Sequence, residues 1–354
     1  MQVQTTSTRS VAFLASLVLA AVLCPAFQAP AAGQLAYKAS NLVSNGSGAP
    51  HTDPNLINAW GIANFPDSPF WVSDAGSGKS TLYDGMGNVI PAVFTVPPAS
   101  GTGMGSPTGI VANGDTTTTD FVVSGMPALF IFATLDGTIS GWNPGTGKDA
   151  VIKVNRSKLH ASYTGLAMGF NNGAYFLYAA DNGPNRRVDM FNTSFKLVGS
   201  FKDAGAPANL APFNVQNING YLYVTYGSFT SSSGFVDIFD TGGHFVRRFA
   251  MSSKLNKPWG LALAPPNFGK FSNALLVGNL GDGHISAFDY TNRNFLGQLA
   301  DAGGVPLAID GLWALTFGSG GAKDVNGQTT ELFFTAGPKL GADGLFGVIV
   351  AIAK

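Results

Sequence analysis

The chain has 354 residues with 20 basic and 20 acidic side chains, so its formal net charge is zero. This balance argues against a protein that binds nucleic acid or an anionic membrane surface, because such proteins usually carry an excess of basic residues. Hydrophobic residues make up 45% of the sequence, too many for a disordered chain, and the 46 glycines among short apolar runs are typical of many turns between many strands.

The N-terminal segment has the pattern of an export signal. Arg9 precedes an apolar run from Val11 to Leu23, which is too short to span a bilayer comfortably, and small residues such as Ala29 and Ala31 follow. We therefore expect a signal peptide over residues 1–31, a secreted or periplasmic mature protein, and no membrane span. Cys24 is the single cysteine and would leave with the signal, so we expect no disulfide and no thiolate metal site.

Beyond the signal, two patterns recur roughly every 50 residues, a period typical of repeat architectures. The first pattern ends in an aromatic residue followed by Asp or Asn, and its five copies are Ser80–Asp84, Ile139–Asn143, Val188–Asn192, Val236–Asp240 and Ile285–Asp289. The second has a small or aromatic centre, and its six copies are Ala59–Ala63, Pro107–Val111, Tyr163–Ala167, Pro212–Val215, Pro258–Ala262 and Leu312–Leu315. With a further apolar strand between the patterns and another after them, each repeat holds four strands. This predicts an all-β, six-bladed β-propeller in which the second pattern forms the innermost strands.

The small residues of the second pattern have a physical reason in this fold, because six backbones converge near the axis of the ring. The Asp or Asn that ends the first pattern is expected to bond the backbone of the following turn.

The last repeat is incomplete, since no fourth strand follows the segment from Leu345 to Ala351. A spare strand exists near the other end, either at Leu35–Lys38 or at Asn41–Val43. We expect this N-terminal strand to complete the sixth blade and close the ring, which would remove exposed sheet edges. The propeller would then be a single domain over residues 34–354.

Four segments carry a family resemblance, namely Asn41–Ser44, Leu56–Ile62, Phe70–Asp74 and Lys257–Leu261. With them the chain resembles the NHL-like and lactonase-like six-bladed propellers. It looks most like an uncharacterised bacterial family of exported propellers, some members of which end in a PEP-CTERM sorting tail. The segment from Gly347 to Lys354 holds no Pro-Glu-Pro motif, so anchoring by such a tail is not implied. The resemblance implies a fold and export, and no particular reaction.

The loops that enter the innermost strands lie on one face of a propeller, and this face is the expected ligand side. Five residues near the axis on this face are the candidate ligand-binding residues: Asn58, Trp60, Trp259, Asp310 and Trp313. The tryptophans belong to blades one, five and six, so they would lie side by side. An aromatic arc with a few polar groups suits a flat or sugar-like ligand. The alternative is that the indoles pack as core between blades.

A metal site is the other possibility to weigh, because lactonase-like propellers hold calcium at the axis with oxygen ligands. Of the matching positions here, only Asp310, followed by Gly311, fits that pattern, and Asn58 could join it. We therefore predict no metal and no cofactor, with calcium left as an alternative, and no catalytic residue, since no nucleophile elbow is present.

Two functions from different classes remain. The leading hypothesis is an exported, monomeric propeller that binds a small molecule or an extracellular protein or polysaccharide. The alternative is a metal-dependent lactonase or hydrolase centred on Asp310 and Asn58. Carboxylates that converge on an axial cavity would favour the enzyme, and a tryptophan-filled axis would favour the binding or scaffold protein.

Overall fold

The computed structural model describes residues 34–114, 119–321, 323 and 325–353. The export signal predicted over residues 1–31 lies outside them and stays a prediction. Within them, the innermost strands of six sheets contact one another in a closed ring, the last against the first. The prediction of an all-β, six-bladed propeller is confirmed.

The strands are numbered in chain order, and each of blades 1 to 5 is antiparallel. They are β1 (Gln34–Ser44), β2 (His51–Thr52), β3 (Ala59–Ala63), β4 (Phe70–Asp74), β5 (Lys79–Tyr83), β6 (Val89–Thr95), β7 (Pro107–Ala112), β8 (Val122–Val123), β9 (Met126–Pro127), β10 (Phe130–Thr134), β11 (Thr138–Trp142), β12 (Val151–Asn155), β13 (Tyr163–Asn171), β14 (Ala174–Asp181), β15 (Arg187–Asn192), β16 (Leu197–Phe201), β17 (Ala211–Ile218), β18 (Tyr221–Ser228), β19 (Ser231–Asp240), β20 (Phe245–Met251), β21 (Pro258–Leu263), β22 (Ala274–Asn279), β23 (Ile285–Asp289), β24 (Phe295–Gln298), β25 (Leu312–Phe317), β26 (Leu332–Ala336) and β27 (Leu345–Ala353). Blades 1 to 5 are β3–β6, β7 with β10–β12, β13–β16, β17–β20 and β21–β24, and β8 and β9 form a separate hairpin.

In the described residues, helical structure is confined to single turns. Three are 3₁₀ turns at Pro144–Thr146, Ser157–Leu159 and Gly269–Phe271, and the fourth is α1 at Pro338–Gly341. Lys339 and Leu340 within α1 have left-handed backbone angles, with φ of 53° and 59°. No helix in the described part of the chain is long and apolar enough to cross a membrane.

Blade 6 is completed by the N-terminal strand, as predicted. Strand β1 pairs antiparallel with β27 along its whole length, from Gln34 opposite Ala353 to Ser44 opposite Leu345. The two segments weighed as alternatives in the sequence therefore belong to one strand. The buried Tyr37 fastens this strand to blade 5, because its hydroxyl donates to the carbonyl of Phe268 and accepts from the amide of Phe271, both at 2.9 Å. Burial raises the pKa of Tyr37 to about 12.

Close approach of the innermost strands explains their small residues. A Cβ atom added to Gly61 of blade 1 would lie 2.2 Å from the carbonyl oxygen of Thr108 in blade 2. One added to Gly109 of blade 2 would lie 2.3 Å from the amide nitrogen of Leu166 in blade 3. Since real Cβ atoms do not approach so closely, a side chain at either position would push neighbouring blades apart.

The first repeated pattern supplies buried aromatic residues and the turn contacts expected of its Asp or Asn. Its aromatic residues are buried, and they are Tyr83, Trp142, Phe191, Phe239 and Phe288. The polar residue after each aromatic holds the next turn: Asp84 Oδ1 accepts from the amides of Met86 and Asn88, both at 2.9 Å. Asn143 Oδ1 likewise accepts from the amide of Gly145 at 2.9 Å.

Candidate functional site

The axis is closed at the upper face, defined as the face where the innermost strands begin. The rings of Trp60 and Trp313 stack there with centroids 3.5 Å apart and planes 16° apart. Trp259 meets these two rings edge-on at 6.4 Å and 5.8 Å, and Phe213 of blade 4 lies 6.0 Å from Trp313. We call these four side chains the indole plug. The three indoles are only 2–4% exposed, so the plug is packed as core.

Hydrogen bonds tie the plug to distant blades. Trp259 Nε1 donates to the carbonyl of Thr164 at 2.9 Å, which joins blade 5 to blade 3. Trp313 Nε1 donates to Asn58 Oδ1 at 3.0 Å. The buried Trp60 Nε1 has no hydrogen-bond partner among the residues that the structure describes.

A hairpin of blade 4 covers the plug from above. Phe229, between β18 and β19, lies 5.1 Å from Phe213 and 6.3 Å from Trp60. Its ring is about half exposed, so it separates the buried indoles from solvent. Lys257 Nζ donates to the carbonyl of Phe229 at 2.9 Å and fastens the hairpin to blade 5.

The structure brings together four of the five residues proposed from the sequence. Asn58, Trp60, Trp259 and Trp313 are in contact, with the tryptophans side by side as expected. Asp310 lies apart on the exposed rim, where its Oδ2 accepts from the amide of Lys339 in α1 at 2.9 Å. The burial of the indoles matches the alternative in which they fill the space between blades, and a ligand-binding role for the five residues stays a prediction.

Metal-ligating side chains are not gathered at this face. Across the described ranges, no group of three or more His, Cys, Asp or Glu residues is placed to hold a metal ion. Asn58 Oδ1 is engaged by Trp313, and Asp310 Oδ2 is engaged by Lys339.

The axis is open at the lower face, where the innermost strands end. Just below the plug, a cavity of about 40 Å³ is bordered by Trp259, Gly61 and Gly109. A volume of this size holds ordered water. It continues into two wider chambers of about 330 Å³ and 270 Å³ that share Gln216 and Thr316 with it. We call the three together the axial funnel.

The lining of the funnel is uncharged. Its polar side chains include Asn64, Gln216, Asn217, Asn219 and Thr316, and the rest is mainly apolar. Asn217 Nδ2 donates to the carbonyl of Met168 at 3.0 Å, and Asn219 Nδ2 donates to the Tyr290 hydroxyl at 3.2 Å. Gln216 is exposed to the funnel and makes no side-chain hydrogen bond in the part of the chain that is described. It is therefore available to a ligand.

The site predicted from the sequence did not include Gln216, because that prediction placed the ligand at the start of each innermost strand. At the matching position near the end of the strand, the other blades carry Ala63, Val111, Ala167, Ala262 and Thr316. Most of these side chains are small and leave the axis open, and among the six matching positions only that of blade 4 carries an amide. Blade 4 is also the blade with Asn214 in place of glycine or alanine, and the Asn214 amide donates to the carbonyl of Trp259 at 2.9 Å. These departures are the signal that could have located the funnel.

Comparison with known sequences identifies viral relatives. No protein-family model matches the chain. Uncharacterized protein R648 of Acanthamoeba polyphaga mimivirus is 34% identical over 335 residues, which cover 88% of this chain and 80% of that protein. Uncharacterized protein L690 of the same virus is 32% identical over 337 residues, covering 89% and 86%.

The expected kinship with a bacterial family is therefore wrong, because these relatives are mimivirus proteins. The physical reason is visible in the segments that suggested it. Leu56–Ile62 and Lys257–Leu261 include innermost strands, whose small and aromatic residues are required by the crowded axis of the ring. Such residues report the six-bladed fold, which is supported, and carry no information on the source of the chain.

A solved structure has the same architecture. The PQQ-bound aldose sugar dehydrogenase of Streptomyces coelicolor superposes with a TM-score of 0.52 and 14% sequence identity, covering 90% of this chain and 100% of that one. At this identity the likeness shows the propeller fold alone.

Proposed function

This chain belongs to the family of the mimivirus proteins R648 and L690, and we propose that it is a binding protein that holds a small neutral ligand in the axial funnel of its propeller. One observation carries the proposal: Gln216 presents a free amide to an otherwise small-residue opening, directly below the closed indole plug. A blind, largely preformed cavity with few polar groups is the usual form of a small-molecule site.

The lining indicates the chemistry of the ligand. Gln216 offers both a donor and an acceptor, and Thr316 adds a hydroxyl. Ile62, Leu166 and Leu261 provide apolar walls around them. A charged ligand would lose its hydration without gaining a counter-ion, which costs free energy. The funnel therefore suits an uncharged molecule with hydroxyl or carbonyl groups, such as a neutral sugar or polyol.

The experiment is titration calorimetry of the purified protein with neutral monosaccharides, disaccharides and polyols. The variant Gln216→Ala is expected to weaken binding roughly tenfold, because it removes a hydrogen bond worth about 1–1.5 kcal/mol. Its melting temperature should be unchanged, since the side chain makes no bond within the described fold. The exposed Gln328→Ala is the matched control and should bind as the parent does. Equal affinity in Gln216→Ala, or no neutral ligand at millimolar concentration, would contradict the proposal.

The hydrolase alternative centred on Asp310 and Asn58 is the less supported of the two functions. Asn58 Oδ1 and Asp310 Oδ2 have separate partners within the fold, since Asn58 accepts from Trp313 of the indole plug and Asp310 accepts from the amide of Lys339 on the exposed rim. Asp310 retains one oxygen towards solvent. We therefore propose binding in the funnel rather than hydrolysis at the upper face.

We further propose that the protein is exported, because its sequence has an apolar segment between Arg9 and the small residues around Ala31. Intact mass of the protein recovered from a secreting host tests this directly. The expected mass is that of a chain beginning near residue 32, and full-length protein retained inside the cells would refute export.

A further inference from the structure

We propose a second subsite in a cleft between blades 4 and 5, which binds a six-membered ring carrying a carboxylate, as in a uronic acid. The proposal rests on the proposed function in one respect, because the cleft would extend the funnel site to an acidic saccharide. The cleft lies on the lower face and has a volume of about 300 Å³. It is lined by Tyr221, Tyr223, Ile238, Val246, Arg247, Tyr290 and Thr291.

The strand register builds one wall of this cleft. Tyr223 of β18, Ile238 of β19 and Arg247 of β20 are cross-strand partners in blade 4, so their side chains share one face of the sheet. Blade 5 supplies the opposite wall with Tyr290, which stacks on Tyr223 at 6.1 Å with ring planes 24° apart. The site is therefore formed by packed strands and the turn after β23.

Arg247 sets the charge that the cleft accepts. It is the one charged side chain in the lining, it is exposed, and it makes no ion pair within the described ranges. The adjacent Arg248 differs, because it pairs with Asp203 and Asp237. A free guanidinium presents several donors in a plane that matches a carboxylate. The cleft is thus complementary to an anion.

Two carboxylates lie beside the lining residues, and each is engaged within its own turn. Asp289 Oδ1 accepts from the amides of Thr291 at 2.8 Å and Asn292 at 2.6 Å. Asp240 lies opposite Tyr221 in the ladder, but its carboxylate pairs with His244 Nδ1 at 3.0 Å and accepts from the amides of Gly242 and His244, both at 2.9 Å. Hydrogen bonds from His244 lower the pKa of Asp240, so it stays ionised and occupied within its own turn.

The tyrosines set the shape of the ligand. Tyr221 is 47% exposed and lines the cleft together with the exposed Val246 and Arg247, so the cleft offers apolar surface as well as the guanidinium. Burial raises the pKa of Tyr223, whose hydroxyl therefore stays neutral and able to hydrogen bond. Aromatic rings with polar tips suit a ligand that has an apolar ring face and several hydroxyls. A sugar ring with one carboxylate meets both requirements.

Asn219 connects this cleft to the funnel. Its side chain lines the funnel, and its amide donates to the Tyr290 hydroxyl in the wall of the cleft at 3.2 Å. A saccharide with a neutral unit in the funnel and an acidic unit in the cleft would run along the lower face past this residue.

The test is titration calorimetry of the full chain with three probes, which are glucuronate, glucose and benzoate. The three probes are compared in Gln216→Ala, in which binding of neutral sugars to the funnel is weakened. In this variant glucuronate is expected to bind more tightly than either, because glucose lacks the carboxylate and benzoate lacks the hydroxyls. Arg247→Gln should weaken glucuronate binding at least tenfold with no change in melting temperature. Arg293→Gln, which removes an exposed charge two residues beyond Thr291, is the matched control and should bind normally.

Each contrary result has a defined meaning. Glucose binding as tightly as glucuronate in Gln216→Ala, or full glucuronate affinity in Arg247→Gln, would overturn the anionic subsite, and tighter binding of benzoate would overturn the sugar assignment. Gln216→Ala should leave glucuronate binding intact. Failure of the funnel with neutral sugars, alongside normal glucuronate binding, would refute the proposed function and leave the cleft standing.

Discussion

Arg248 of blade 4 forms ion pairs with two carboxylates. Its Nε lies 2.6 Å from Asp237 Oδ1 and its Nη2 lies 2.5 Å from Asp203 Oδ2, while the guanidinium covers the ring of Phe235 at 3.7 Å. Asp237 is fully buried, and its Oδ2 has no partner in the described structure. One guanidinium does not fully compensate two buried charges, so burial raises the pKa of Asp237 to about 7.

The raised pKa of Asp237 predicts that the stability of the fold depends on pH. The folded pKa of about 7 exceeds the ordinary value of 3.8, so the folded state binds the proton more tightly than the unfolded state. The contribution of Asp237 to the free energy of unfolding is therefore greatest below about pH 4 and decreases as the pH rises to about 7. Asp237→Asn should make this decrease smaller in urea unfolding between pH 4 and pH 8. The exposed Asp282→Asn is the control, and identical slopes in the parent and Asp237→Asn would contradict the assignment.

The innermost strands show which features of the fold the repeat pattern predicts and which it does not. The repeat placed all six strands, because the crowded axis imposes small residues such as Gly61 and Gly109. It did not show which end of the axis is open. That depends on Phe213 and Phe229, which come from blade 4 and meet the indoles of other blades only after folding. Tertiary contacts of this kind produce no periodic pattern in the sequence.

The packing of the indole plug predicts that the stability of the fold depends strongly on Trp259. Trp259 is 4% exposed and bonds the carbonyl of Thr164 two blades away. Trp259→Ala should lower the free energy of unfolding by roughly 3–5 kcal/mol, the usual range for a buried large aromatic. Trp259→Phe keeps most of the packing and should cost less, mainly the lost hydrogen bond and some volume. Chemical denaturation measures both, and a loss below about 1 kcal/mol in the alanine variant would mean that the plug is open in solution.

The whole molecule is a ring whose closure is shared by its two ends. Strand β1 lies between β27 and β2, and Tyr37 connects it to blade 5. The incomplete sixth repeat and the spare strand were both readable in the sequence, so this closure was predictable. The cleft between blades 4 and 5 was not, because it depends on how Tyr290 packs against Tyr223.

Removing the closing strand should destabilise the ring as a unit. A chain that begins at residue 45 lacks β1 and exposes the backbone edge of β27, and free edges of this kind recruit other chains. We expect aggregation in light scattering and a fall of many degrees in melting temperature. A chain that begins at residue 32 keeps β1 and is the control. Equal solubility and melting temperature for the two would show that β1 does not hold the ring closed.

The pairing of β1 with β27 also determines the order in which the blades can fold during synthesis. The two strands are separated by roughly 300 residues of chain, and ribosomes add about 5–20 residues per second. Strand β1 therefore waits on the order of 15–60 s before its partner exists. Blades 1 to 5 contain all their own strands and can form in order as they emerge, whereas blade 6 forms only after the last strand has been made. During that interval β1 lacks its long antiparallel partner and has only the short parallel pairing with β2, so most of its backbone is open to a chaperone.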